Sequence, residues 1–293
     1  MAVARRRPGT ELVSIDSMSV YRHMDIGTAK PSAQDRLDVP YHLLDLVDPG
    51  EEFSVRQFQA AAAGALEAVA ARGGRALLVG GTGLYLRAVI DDLDLPGRFP
   101  AVAAALEDEA DRPGGLDALY RRLAGADPTA AARIEPGNRR RVVRALEVTL
   151  GSGRPFSTYG PGLDVYPSRP VDMVGIRFVP AVHDPLIERR FESLMAAGFL
   201  DEVRALRGRP AGLSRTARQA LGYRELLAHL DDAVALEEAV AEAVARTKAF
   251  ARRQWAWFRR DPRISWLEPT DDLLGALLAR FDAGAVPAAA VGD

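Results

Sequence analysis

Residues 12 to 91 constrain the fold most, because short apolar runs, a helical stretch and glycine turns alternate there in a fixed order. Leu12-Val13-Ser14-Ile15 reads as a buried strand that ends at Asp16. His42-Leu43-Leu44-Asp45-Leu46-Val47 is a second strand candidate, closed by the turn residues Asp48-Pro49-Gly50. Ser54 and Gln57 have capping-box spacing, and the alanine-rich helix they open runs to Arg72, where Gly73-Gly74 stops it. Arg75-Ala76-Leu77-Leu78-Val79 follows as a buried strand, and Gly80-Gly81-Thr82-Gly83 leads into a helix near Leu84. Strand, helix, strand, glycine turn and helix in this order build a parallel sheet joined by crossover helices. The expected class is α/β, a parallel sheet core with flanking helices.

The pattern changes after Leu95-Pro96-Gly97. From about Pro100 to Gly151 only helical periodicity is present, broken at Pro113-Gly114-Gly115, Asp127-Pro128 and Pro136-Gly137. A loop rich in Gly, Pro and Ser follows to Pro170; Val171 to Val179 then reads as an apolar strand, and long helices come after it. This organisation implies a core over residues 1–97 and 166–282, a helical insertion over 98–165, and a disordered tail over 283–293. No internal repeat is visible.

Composition excludes several chemistries. The chain has no cysteine, which removes disulfides, thiolate metal sites and cysteine nucleophiles together. His23, His42, His183 and His229 stand at no metal-ligand spacing, so no zinc site is expected. Arg5, Arg6 and Arg7 are followed by no apolar run, and no stretch approaches the roughly 20 apolar residues that span a bilayer. A soluble, cytoplasmic, monomeric protein without membrane contact is expected. The net charge of −2 gives no argument for a nucleic-acid partner, so only the placement of the basic residues counts. All but two of them, Lys30 and Lys248, are arginines.

Four places are candidates for chemistry. Asp16 ends the first strand, where open α/β sheets bind their ligands, and is placed to act as a base or to touch a metal; capping the next helix is the plainer alternative. Gly80-Gly81-Thr82-Gly83 suits an anion held by backbone amides at a helix start, and equally a tight turn, with Thr82 as cap or ligand contact. Asn138 to Arg144 opens a helix with Arg140 and Arg144 on one face. Arg246 to Arg260 holds Lys248, Arg252, Arg253 and Arg259 with Phe250, Trp255, Trp257 and Phe258 between them and no acid until Asp261. Arg252, Trp255 and Arg259 share a helical face that suits alternating phosphates and a stacking surface, although the aromatics of such a helix can equally belong to the core. Two such segments in a near-neutral chain favour an RNA or polyphosphate partner.

Taken together, the segments resemble the tRNA dimethylallyltransferase family. The matching stretches are Asp16-Ser17-Met18-Ser19-Val20-Tyr21, Met24-Asp25-Ile26-Gly27-Thr28-Ala29-Lys30-Pro31 and Gly80-Gly81-Thr82-Gly83-Leu84-Tyr85. Arg141-Val142-Val143-Arg144-Ala145-Leu146-Glu147-Val148, Ala220-Leu221-Gly222-Tyr223-Arg224-Glu225 and Arg252-Arg253-Gln254-Trp255 follow in the family's order. The resemblance implies a P-loop-type sheet core and transfer of a dimethylallyl group from dimethylallyl diphosphate to the exocyclic amine of the adenosine 3′ of the anticodon. It implies Asp16 as general base, Thr82 at the reaction centre and Arg190 on the diphosphate, with Mg²⁺ as cofactor. The residues implied to hold the tRNA anticodon arm are Asp16, Ser17, Met18 and Ser19; Arg140, Arg141, Val142, Val143 and Arg144; Gln219, Ala220, Leu221, Gly222, Tyr223 and Arg224; and Arg252, Arg253, Gln254, Trp255 and Arg259. The helical insertion would close over that arm.

The family's phosphate-binding loop, Gly-x-x-x-x-Gly-Lys-Ser/Thr, which gives its nucleotide-binding and ATP-binding character, has no match in these 293 residues. Ala2 to Gly9 looks like the end of the helix that follows such a loop, so the resemblance implies a start downstream of a strand, the loop and most of that helix, and poor catalysis in consequence. Ala103 stands where the family commonly has arginine. Two other readings follow from the same residues: a short form that binds tRNA without modifying it, and a prenyltransferase of free adenine nucleotides.

Overall fold

The computed structural model describes residues 1–160, 162–269 and 272–284. They divide into two compact units, one built from 1–90 with the residues from 168 onward and one from 91–167. The sequence places the boundaries at 98 and 165, whereas residues 91–97 and 166–167 fall in the second unit.

The first unit opens with α1 (Ala2–Arg6) and β1 (Thr10–Ile15), then α2 (Ala33–Asp38), β2 (Tyr41–His42), α3 (Val55–Ala71), β3 (Arg75–Gly80) and α4 (Gly83–Asp91). β1 lies between β2 and β3, parallel to both, with Leu12 opposite Tyr41 and Ile15 opposite Gly80. α3 is opened by the Ser54–Gln57 capping box, in which each side chain bonds the other's backbone N–H. The expected strand over 42–47 stops at His42, because Leu43 and Asp45 take positive φ of 65° and 57° and turn the chain. Packed on the sheet is a core in which Val13, Ile15, Tyr21, Met24, Phe58, Phe199 and Leu226 are fully buried.

The second unit holds α5 (Pro100–Ala110), α6 (Gly115–Ala126), α7 (Pro128–Ala131) and α8 (Arg139–Ser152). The breaks read from the sequence fall at helix starts: Gly114 precedes α6, Pro128 is the first residue of α7, and Pro136-Gly137 lie just before Asn138, which caps α8. Its core is Leu106, Leu119, Leu123, Val142 and Leu146. Phe99 N donates to Glu147 at 2.8 Å, and the Pro96 and Gly97 carbonyls accept from Arg144 at 3.0 Å each, which ties the 96–99 segment to α8.

The chain then returns to the first unit with β4 (Met173–Ile176), α9 (Pro180–Ala196), α10 (Phe199–Arg207), α11 (Arg215–Arg218), α12 (Tyr223–Leu230), α13 (Leu236–Phe258), β5 (Ile264–Leu267) and α14 (Leu273–Ala283). β4 and β5 form a separate parallel pair. β5 was not read from the sequence; its signal is the short apolar run Ile264-Ser265-Trp266-Leu267 after Asp261-Pro262. Two strand edges carry exposed apolar residues, Val79 on β3 and Ile176 on β4. Of the expected tail, Ala283 closes α14 and 285–293 lie outside the described residues. Among the described residues no helix is long and apolar enough to cross a membrane.

Candidate active site

The site begins with the β1–β3 register. Because Ile15 pairs with Gly80, the two chains leave the sheet side by side, and Asp16 emerges beside Gly81 and Thr82. Ser17 N donates to the Thr82 hydroxyl at 3.3 Å, which joins the two strand ends. Asp16 does not cap a helix, since the next one is α2, capped by Ser32. One Asp16 oxygen instead accepts from Met18 N at 2.8 Å and holds the turn that follows β1.

The glycine turn is shaped by α13 rather than by an evident anion site. Gln254 Nε2 donates to the Gly81 carbonyl at 2.9 Å. A Cβ on Gly83 would lie 2.2 Å from Trp257 Nε1, closer than any side chain tolerates, so α13 can seat against the start of α4 only because that position is glycine.

These strand ends open into a cavity of about 480 Å³. It brings together Asp16, Ser17 and Met18 after β1, Thr82 after β3, Arg190 from α9, Gln219, Ala220, Leu221 and Tyr223 around the start of α12, and Arg253 and Gln254 from α13. Its apolar lining is Ile187, Phe191, Leu194 and Phe199. The cationic side is uneven. Arg246 is bound to Glu225, a buried carboxylate whose other oxygen accepts from Gly222 N at 2.9 Å. Arg190 and Arg253 are exposed and have no acidic partner among the described residues, which leaves their charge for a ligand. A second cleft, of about 510 Å³, lies around Lys30, Pro31 and Arg36, but its cations are already paired with Asp25 and Asp45.

Other residues read from the sequence fall elsewhere. Ser19 is buried, and its carbonyl accepts from Asp45 N at 3.1 Å. Gly222 is buried behind the lining, and Arg224 is exposed outside it. The expected face of α13 is corrected: Arg252 is paired with Asp184 at 2.6 Å, and Trp255 packs edge-on against Trp266 with ring centroids 4.7 Å apart. The cavity takes the neighbouring face, Arg246, Phe250, Arg253 and Gln254, while Arg259 stays exposed near the helix end. In the helical unit Val142 and Val143 are core residues, so their side chains are withdrawn from any partner. Arg144 is turned to the Pro96 and Gly97 carbonyls and to Glu147, 2.7 Å away, instead of sharing an open face with Arg140. Arg140 and Arg141 remain exposed, with no ion pair among the described residues. Sequence reasoning missed Glu225 as the anchor of Arg246, although its place three residues after Gly222 has capping-box spacing. It also gave no individual place to Gly27 and Thr28, which line the cavity.

Comparison with known proteins places the chain in a family. A family model described as IPP transferase matches residues 19–261. The chain is 47% identical over 263 residues to a tRNA dimethylallyltransferase of Streptomyces coelicolor, covering 89% of this chain and 83% of that protein. It is 48% identical over 265 residues to one of Kineococcus radiotolerans, covering 90% and 82%. The structure of a full-length tRNA isopentenylpyrophosphate transferase of Bacillus halodurans superposes with a TM-score of 0.67 at 36% identity, over 96% of this chain and 89% of that one. A eukaryotic dimethylallyltransferase acting on tRNA shares the fold, with a TM-score of 0.73 at 24% identity, over 97% of this chain and 72% of that one. A family model over most of the chain and relatives at 47% and 48% identity leave one assignment: the chain belongs to the IPP transferase family.

Proposed function

We infer that this chain transfers a dimethylallyl group from dimethylallyl diphosphate to the exocyclic amine of the adenosine 3′ of the anticodon in tRNA. The observation that carries the reading is the convergence of Asp16, Thr82, Arg190, Gln219, Arg253 and Gln254 on one cavity from segments far apart in sequence. Its two characters match the two ends of such a donor. Ile187, Phe191, Leu194 and Phe199 suit a short branched hydrocarbon, and Arg190 with Arg253 suits a diphosphate. In the reaction the bond from the allylic carbon to the diphosphate oxygen breaks and a bond to the amine nitrogen forms. The diphosphate leaves with its electron pair beside the arginines, and Asp16 takes the proton the amine gives up. The adenosine has to leave its stack for its amine to reach the cavity. On this reading Gln219, Leu221, Arg224 and Arg259 are side chains of the first unit available to the anticodon arm, and Arg140 and Arg141 are those of the helical unit.

The lining by itself does not fit a metal ion. It offers one carboxylate, Asp16, and no cluster of three or more His, Cys, Asp or Glu able to hold a metal occurs among the described residues. Mg²⁺ is commonly bound through substrate phosphates, so the reading places it on the donor and assigns it no step here.

The test is a transfer assay with labelled dimethylallyl diphosphate, Mg²⁺ and an anticodon stem-loop that carries the target adenosine. Label in the RNA supports the reading. Stem-loop binding that weakens steeply with salt, without label transfer, would point to a tRNA-binding role, and label on AMP but not on RNA to a nucleotide prenyltransferase.

A further inference from the structure

One wall of the cavity is formed by Gly27 of the 24–31 turn, Phe199 and Tyr223. It is held from behind by a carboxylate that does not itself line the cavity. Glu202 lies on α10, one helical turn after Phe199. Its Oε2 accepts from Asp25 N at 2.9 Å and Ile26 N at 2.7 Å; its Oε1 accepts from Gly27 N at 3.2 Å and the Tyr223 hydroxyl at 2.6 Å. Three successive amides that converge on one point make a cradle that elsewhere takes a free anion; here the chain fills it with its own side chain. Burial, and after it the Glu202 charge, raises the Tyr223 phenol well above its usual value, so the hydroxyl remains a donor at any working pH. In front of the clamp the Phe199 and Tyr223 rings meet edge to face at 4.9 Å. A Cβ on Gly27 would come within 2.3 Å of the Phe199 ring, so the turn rests on the aromatic pair with no free space between them.

We propose that Glu202 is a positioning residue: by clamping the Asp25–Gly27 amides and the Tyr223 hydroxyl, it fixes the wall against which the allylic chain of the prenyl donor packs. The inference rests on the reading of the cavity as a prenyl-diphosphate site. Its reach is limited to the hydrocarbon end, because Arg190 and Arg253 make no contact with Glu202 among the described hydrogen bonds and ion pairs. Glu202→Gln keeps the shape and replaces one acceptor by an NH₂ group. The Tyr223 hydroxyl can reverse and accept from that group, but the Gly27 N–H cannot, so the turn is displaced where it meets Phe199.

Titration calorimetry with two probes, dimethylallyl diphosphate and inorganic diphosphate, each with Mg²⁺, separates the two ends of the cavity. Glu202→Gln is expected to weaken dimethylallyl diphosphate by about 10-fold and to leave inorganic diphosphate unchanged, with faster amide exchange at Gly27. Tyr223→Phe, which keeps the carboxylate on its three amides, is expected to shift the same probe in the same direction by a smaller factor. It carries the test if Glu202→Gln does not fold. An equal loss of both probes, or no loss of either, overturns the positioning role, as does a wild-type chain that binds inorganic diphosphate and not the prenyl donor. A wild-type chain that binds neither overturns the reading of the cavity and takes this inference with it.

Discussion

Lys30 offers the sharpest test of how the site is supported. Its side chain is 1% exposed, and its ammonium spends all three N–H groups: on the Tyr21 carbonyl at 2.6 Å, Asp25 at 2.8 Å and Asp45 at 2.6 Å. Lys30→Met keeps the length of the stem and deletes the three bonds. Asp25 is 55% exposed and turns to water at little cost. Asp45 is 30% exposed and keeps Arg36 at 2.6 Å, so its loss is screened to roughly 1 kcal/mol. The Tyr21 carbonyl is left without its charged donor, which costs about 1–3 kcal/mol. The sum, about 2–4 kcal/mol, lowers the melting temperature by about 3–7 °C at an unfolding entropy of about 2.1 cal/mol/K per residue. The effect depends on pH. Burial works to raise the Asp45 carboxyl, but Lys30 and Arg36 outweigh it and hold the group below its usual value. A depressed carboxyl contributes stability above its unfolded-state pKa, near 3.9, and loses it as pH falls through the folded-state value. The gap between wild type and variant is therefore widest at neutral pH and narrows on acidification below about 4. Circular dichroism melts at pH 7 and in the acid range measure it. A shift under about 2 °C at pH 7, or a gap that stays constant into acid, refutes the reasoning.

Three further outcomes are expected. Asp16→Asn slows single-turnover transfer by about 100- to 10,000-fold while stem-loop affinity is retained, and an unchanged rate would remove Asp16 as the base. Replacing Arg140 and Arg141 by alanine flattens the dependence of log affinity on log salt by about 1.4–1.8, whereas Arg144→Ala lowers the melting temperature instead, because Arg144 is bound to Pro96, Gly97 and Glu147. Salt titrations with the stem-loop and melts of both variants check the split; an identical pattern for all three arginines would contradict it. Gly83→Ala drives a Cβ toward the Trp257 indole and costs about 1–3 kcal/mol, while Gly64→Ala, where nothing lies within 4 Å, stabilises α3 by about 0.4–1 kcal/mol. Denaturant melts of the pair decide it, and destabilisation by both would show that packing is not the cause.

Much of the site was legible in the chain because it depends on local order. A strand that ends at Asp16 and a later strand that ends at Gly80, joined by a crossover helix, must bring those ends together once the strands pair in parallel, and Ile15 opposite Gly80 is that pairing. The Ser54–Gln57 cap and the helix breaks between residues 100 and 151 are likewise matters of neighbours a few residues apart. Where the reading failed, the deciding contact came from far away. Helical spacing groups Arg252 with Trp255 and Arg259, and Arg246 with Phe250 and Arg253, equally well; which face meets the cavity depends on Asp184 and Trp266 having claimed the first. Lys30 and Glu202 gain their supporting roles only when the acceptors of Tyr21 and Asp45, or the amides of residues 25 to 27, are folded onto them. Val142 and Val143 share one run with Arg140 and Arg141, yet burial divides them, because one face of a packed helix meets its core, and Arg144 is set apart by its bonds to Pro96, Gly97 and Glu147. Periodicity settles which residues travel together; only the packed chain settles what they meet.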